Sequence, residues 1–178
     1  MKSRLTLNVF NKEITLFFGV QNQYNKWKTG ITNRCKDGQF VLFLDYDKVP
    51  YSWVVDELDH IQKHHKLGDI HIFQTNNGYH AINTEKRSFQ EILKIMNQTS
   101  ADIHFINVPL KYGKKAWTLR ISNKKGKMIK HISTFPAKNK KVMSAPHNWY
   151  LREMYGLVIN GTDDEEQSFY ISKYPINE

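Results

Sequence analysis

An apolar run that stops at two carboxylates one residue apart, Val41-Leu42-Phe43-Leu44-Asp45-Tyr46-Asp47, constrains the fold of this chain more than any other feature. The segment from Gln39 to Asp45 reads as a strand of buried type, because a strand with one wet face would alternate apolar and polar residues. On an extended strand residues i and i+2 share a face, so Asp45 and Asp47 can present four oxygens to one hard cation such as Mg²⁺ or Mn²⁺. Taken alone, an Asp-x-Asp is more readily a solvated strand end whose second acid opens the next helix, since aspartate is favoured at helix starts.

With 178 residues, 40% hydrophobic and 24% charged, the chain can bury one sizeable core but hardly two, and a single domain over residues 1–178 is expected. Cys35 is the sole cysteine, which leaves no internal disulfide and no Cys-rich zinc site. The N-terminal residues Met1 to Leu7 lack a long apolar stretch, and no later apolar run approaches the roughly 18 residues of a membrane span. A soluble, cytoplasmic protein with no membrane partner is the expectation.

The net charge of +9 is unevenly placed. Twelve of the 26 lysines and arginines fall between Ile103 and Arg152, a stretch without Asp or Glu, which leaves 14 against 17 acids elsewhere. Lys111, Lys114, Lys115, Lys125, Lys127 and Lys130 belong to that stretch. Such a density of positive charge attracts a polyanion through counterion release, and nucleic acid is the commonest one. A lysine-rich solvated face is the plain alternative.

Alternation predicts an N-terminal hairpin from Arg4 to Phe10 and Glu13 to Gly19, turning at Asn11-Lys12. Gln21 to Gly38 reads as a loop or irregular insert. Pro50 suits a first helical turn, and Trp53, Val54, Leu58 and Ile61 recur at helical spacing to about His65. Ile70 to Phe73 is a strand, Asn76-Asn77-Gly78 a tight turn, and Tyr79 to Asn83 the returning strand. Ser88 to Asn97 reads as a second helix. Ile103 to Val108, Trp117 to Ser122 and Met128 to Ser133 read as further strands. Beyond Thr134 a short helix over Trp149 to Tyr155 and strands at Leu157 to Asn160 and Phe169 to Ser172 complete the pattern. The expected fold is α+β: an antiparallel or mixed sheet with helices packed on one face, an N-terminal hairpin and a small C-terminal extension.

Three local signals occur in order: Asp45-Tyr46-Asp47 at a strand end, Gly78-Tyr79-His80 after a hairpin turn, and Leu119-Arg120-Ile121-Ser122 followed by Asn123-Lys124-Lys125. In this order and spacing, over about residues 39–130, the chain resembles the archaeo-eukaryotic primase superfamily, whose RRM-like catalytic sheet carries an Asp-x-Asp motif, a small-x-His motif and a late acidic motif. Each motif is short, and the order carries the resemblance.

The resemblance implies a primase- or polymerase-type nucleotidyltransferase working on single-stranded nucleic acid and nucleoside triphosphates, in replication of a virus or plasmid-like mobile element, alongside a helicase or another replication protein. Asp45 and Asp47 would be the catalytic acids that hold Mg²⁺ or Mn²⁺, and Gly78 the small residue before the phosphate-contacting His80. Arg120, Ser122 and Lys124 would extend the nucleotide-binding surface. The late acid is expected in the strand before Arg120, where this chain has Asn107, catalytic by position but uncharged. Asp102 lies five residues earlier, with opposite strand parity. That departure separates a two-metal polymerase from a one-metal or inactive descendant.

Two other classes stay open. The same sheet, with Tyr79, Trp117 or Tyr112 stacking on bases and the lysines following the backbone, would bind a single strand without catalysis. A rolling-circle replication nuclease also builds a metal site on such a sheet, but the His-apolar-His ligand pair expected of it is absent from the sequence. Read singly, His80 is a structural histidine and Arg120 a cross-strand arginine on a wet face.

Overall fold

A computed structural model describes residues 2–9, 12–19, 29–121, 128–137, 141–159, 162–163 and 171–173. The chain divides into two compact units, one of residues 1–27 with 175–178 and one of residues 28–174. In the first unit β1 (Lys2–Val9) and β2 (Lys12–Gly19) pair antiparallel from Lys2↔Gly19 to Val9↔Lys12, the hairpin expected from the sequence.

The second unit runs β3 (Thr29–Thr32), β4 (Phe40–Asp47), α1 (Tyr51–His65), β5 (Ile70–Gln74), β6 (Gly78–Arg87), α2 (Phe89–Met96), α3 (Ile103–Lys111), β7 (Thr118–Arg120), β8 (Lys130–Phe135), β9 (Val142–Met143), α4 (Ala145–Tyr155), β10 (Thr162–Asp163) and β11 (Ile171–Lys173). The central strands lie in the order β4-β6-β5-β8 and are antiparallel throughout, with β9 bridged to β6 at Glu85 and β10 parallel to β9. A smaller sheet has the order β11-β3-β7. The fold is therefore α+β with four helices and mostly antiparallel sheet.

β4 is buried on both faces, which explains its unbroken apolar run. Phe40, Leu42, Leu44 and Tyr46 pack with Val54, Leu58 and Ile61 of α1, Ile92, Ile95 and Met96 of α2, and Ile106 of α3. Val41 and Phe43 pack on the other side with Ile31, Leu119, and Tyr150 and Leu151 of α4. Helices were expected on one face only; α4 occupies the opposite one. Each large side chain removed from water in these layers contributes about 1.5–3 kcal/mol.

Local chemistry explains the helix ends. Ser88 and Glu91 form a reciprocal capping box at the start of α2, satisfying two backbone donors that the first turn leaves free. α1 starts after Pro50 and ends at Lys66 in a left-handed conformation.

Several expectations are corrected. Ile103 to Val108 is helix, not strand: Asp102 caps it by accepting from the His104 N–H at 2.9 Å, and Ile106 is buried while Ile103 and Val108 are exposed. The segment read as loop before Gly38 contains β3, which pairs with β7 and β11, far along the chain. Trp53 lies 61% exposed, off the buried stripe of α1. Leu157 to Ile159 are not strand. Ile171 and Ser172 lie in β11, while Asn160, Phe169 and Tyr170 fall outside the described residues. Among the described residues no helix is long and apolar enough to cross a membrane.

Candidate functional site

Asp45 and Asp47 continue the parity of Val41 and Phe43, so both project from the face of β4 turned away from α1 and α2. Both are in the strand, and Asp47 ends it exposed while Asp45 is half-buried. Across the β4–β6 ladder Asp45 pairs with His80 and Asp47 with Gly78. The His80 Nε2 lies 3.4 Å from Asp45 Oδ1, within ion-pair range when the imidazole is protonated. On its other side His80 is opposite Phe73 of β5, and the ring is buried.

The turn at the head of this pair is tightly specified. A β-carbon on Gly78 would run into the carbonyl of Tyr46, so the close approach of β4 and β6 needs glycine there. The Gly78 N–H donates to Thr75 Oγ1 at 3.1 Å and its carbonyl accepts from the Thr75 N–H at 2.9 Å. Directly after Asp47 the chain turns through Lys48, whose φ of 60° is left-handed despite its side chain, at a cost of about 1–2 kcal/mol. Its N–H donates to the Asn77 carbonyl at 3.0 Å.

From behind, β4 is held by Tyr46, whose hydroxyl donates to Glu57 at 2.8 Å while the other Glu57 oxygen accepts from the Ser100 N–H at 2.8 Å. Burial and the neighbouring Glu57 carboxylate push the Tyr46 phenol far above its ordinary pKa, so it stays a donor. The same loop brings the Asp102 N–H onto the Asp45 carbonyl at 2.7 Å. Sequence parity had set Asp102 apart; a helix cap, rather than a strand, brings its backbone to the site. The missed signal is the Asp102-x-His104 spacing of a cap.

The remaining expected residues are not all gathered here. Arg120 is half-buried on β7, opposite Gly30 of the small sheet. Asn107 is exposed on α3 rather than on a strand, which removes the positional argument for it as the late metal ligand. Trp117 is fully buried, with its indole N–H on the Ile106 carbonyl at 3.0 Å and its ring stacked on Phe89, so it cannot stack on a base. Lys111, Lys114 and Lys115 are exposed at the end of α3 beside Tyr112, itself 69% exposed, and Lys130 is exposed on β8. Tyr79 is half-buried against the ring of Tyr51. Ser122, Lys124, Lys125 and Lys127 lie outside the described residues.

Two carboxylates on one face, with Asp47 open to solvent, match the usual holding of Mg²⁺ by one or two carboxylates with water and phosphate completing the shell. Among the described residues no group of three or more His, Cys, Asp or Glu side chains is placed to hold a metal. Asp45 and Asp47 could thus supply two carboxylates of such a shell and no more among the described residues. Comparison with protein-family models, curated proteins and solved structures finds no match.

Proposed function

We propose that this chain is a metal-dependent nucleotidyltransferase of primase-polymerase type, extending single-stranded nucleic acid with nucleoside triphosphates. The carrying observation is the pairing of Asp45 with His80 across one ladder, with Asp47 on the same face of the same strand. A Mg²⁺ or Mn²⁺ on the two carboxylates would neutralise charge on the triphosphate and on the departing pyrophosphate. In this reading His80 donates a hydrogen bond to a phosphate oxygen, and Asp45 fixes the imidazole by accepting from Nε2. The resemblance would add Arg120, Ser122 and Lys124 as further phosphate contacts. Lys111, Lys114, Lys115, Lys125, Lys127 and Lys130 follow the backbone of the strand being copied. The setting is cytoplasmic replication of a virus or mobile element, with a helicase or related replication protein as partner.

A second reading, a single-strand-binding module without catalysis, is favoured by one specific observation: among the described residues no group of three or more metal-binding side chains forms, and Asn107 stands on a helix. Labelled-nucleotide incorporation on single-stranded DNA with Mg²⁺ or Mn²⁺ separates the two. Incorporation by the unaltered chain and its loss in the Asp45→Ala, Asp47→Ala double variant support the enzyme. Intact strand binding without incorporation in either protein supports the module.

A further inference from the structure

At the far end of α1 from the Asp45–Asp47 pair lies a cleft of about 480 Å³ lined by Asp59, Gln62, Lys63, Lys66, Leu67, Phe135, Pro136 and Lys141. Its size falls within the ~300–1,000 Å³ range of small-molecule sites. The fifteen residues of α1 span about 22 Å at 1.5 Å per residue, so the cleft is distinct from the metal face.

The lining combines an apolar floor of Leu67, Phe135 and Pro136 with three ammonium groups, two from the C-terminal end of α1 and one, Lys141, from just before β9. Their charge is incompletely neutralised. Lys63 pairs with Asp59 at 2.6 Å, the single acid of the lining. Lys141 reaches Glu85 only at 3.6 Å, and that carboxylate already serves Arg87 and the Gly68 N–H. Lys66 makes no side-chain hydrogen bond or ion pair among the described residues. Gln62 donates its amide hydrogens to the Gly68 and Phe135 carbonyls, which ties helix to strand and leaves its Oε1 able to accept.

Lys66 is also conformationally costly. It occupies the left-handed helix end, φ 50°, where glycine or asparagine is the usual residue. Lys48 beside Asp47 and Lys66 on this cleft are the only non-glycine residues of positive φ among the described residues. A strained backbone that keeps a long cationic side chain at a cleft mouth points to a use for that side chain.

We propose that this cleft is a second, metal-independent anion site that takes a nucleoside polyphosphate. Lys63, Lys66 and Lys141 hold the phosphates, the flat base rests on Phe135 and Pro136, and Gln62 Oε1 accepts from an exocyclic amine.

The test is ATP titration by calorimetry in EDTA, using the full chain with Asp45→Ala and Asp47→Ala so that no metal-held nucleotide contributes. One binding site is expected. Lys66→Gly should weaken it about tenfold, while raising the melting temperature by a few degrees because glycine suits the left-handed position. Lys66→Glu with Lys141→Glu should abolish it, and Lys94→Glu, at an exposed lysine in the last turn of α2, should leave it unchanged. Absence of metal-free binding at millimolar ATP overturns the proposal. So does affinity unmoved by Lys66→Gly, and inorganic triphosphate binding as tightly as ATP overturns the nucleoside part. Because loss in Lys66→Gly and in the Lys66→Glu, Lys141→Glu pair locates the binding in this cleft rather than beside His80 and Arg120, the outcome does not depend on whether the nucleotidyltransferase reading holds.

Discussion

Asp45 and His80 face each other across the β4–β6 ladder with carboxylate and imidazole 3.4 Å apart, and the side chain of His80 is almost wholly enclosed while a quarter of that of Asp45 is accessible. The acid can thus meet a ligand while holding the ring. If the pair works on a triphosphate, Asp45→Ala or Asp47→Ala should each lower metal-dependent incorporation by about 10²-fold or more. His80→Ala should act mainly by raising KM for the nucleotide. Steady-state incorporation kinetics check this, and equal activity in all three variants would remove the site from consideration.

Gly78→Ala should cost about 1–3 kcal/mol, because the new methyl meets backbone that cannot give way as a flexible side chain would. The strands would have to separate where Asp47 and Gly78 are paired, so incorporation should fall with stability. Urea denaturation measures the first effect. Gly38→Ala is the contrast: no atom lies within 4 Å of its added carbon, and only the left-handed backbone opposes it, at about 1 kcal/mol.

How much of this was legible in the sequence varied with the range of the determining contacts. The Asp45–Asp47 strand, the Asn76-Asn77-Gly78 turn and the helix within Ser88 to Asn97 rest on local patterns, and their residues announced them. α3 was not legible, because Ile103, Phe105 and Ile106 are β-formers ahead of a proline. The helix is decided by the Asp102 cap and by burial of Ile106 against Trp117, on the far side of the Gly113 turn. β3 was missed for the same kind of reason: its partners β7 and β11 lie roughly 90 and 140 residues further on. Trp117 drew a base-stacking reading only from its basic neighbours, yet its backbone N–H on Asn33 Oδ1 at 2.9 Å ties it inward.

Tyr112 and Trp117 make opposite predictions from adjacent sequence. Tyr112→Ala should weaken single-strand binding by about 1–3 kcal/mol, the worth of one base stack, with folding stability nearly unchanged since the ring is 69% exposed. Trp117→Ala should instead destabilise the fold by about 3–5 kcal/mol. Fluorescence anisotropy with labelled oligonucleotides, run alongside thermal melts, distinguishes them. A binding loss in Trp117→Ala at temperatures where it remains folded would mean that the surface had been misassigned.

His71 gives the chain an acid-sensitive core. It is fully buried on β5, with Nδ1 2.9 Å from Thr134 Oγ1 and Nε2 without a partner among the described residues. Burial pushes its pKa from 6.5 down to about 4, opposed by the nearby Asp69 carboxylate and assisted by His131. The folded state therefore resists protonation that the unfolded chain accepts, so the unfolded chain binds more protons between pH 6.5 and 4. Stability is complete above about pH 6.5, declines as pH falls through that window, and ends lower by about 3 kcal/mol from this group. His131, also lowered by burial, acts in the same direction. His71→Leu should flatten the dependence, with Thr134 still bonded to His131 Nε2 at 3.0 Å. Urea unfolding at pH 7, 6 and 5 reads this directly. Parallel losses in the unaltered chain and in His71→Leu would show that the acid response arises elsewhere.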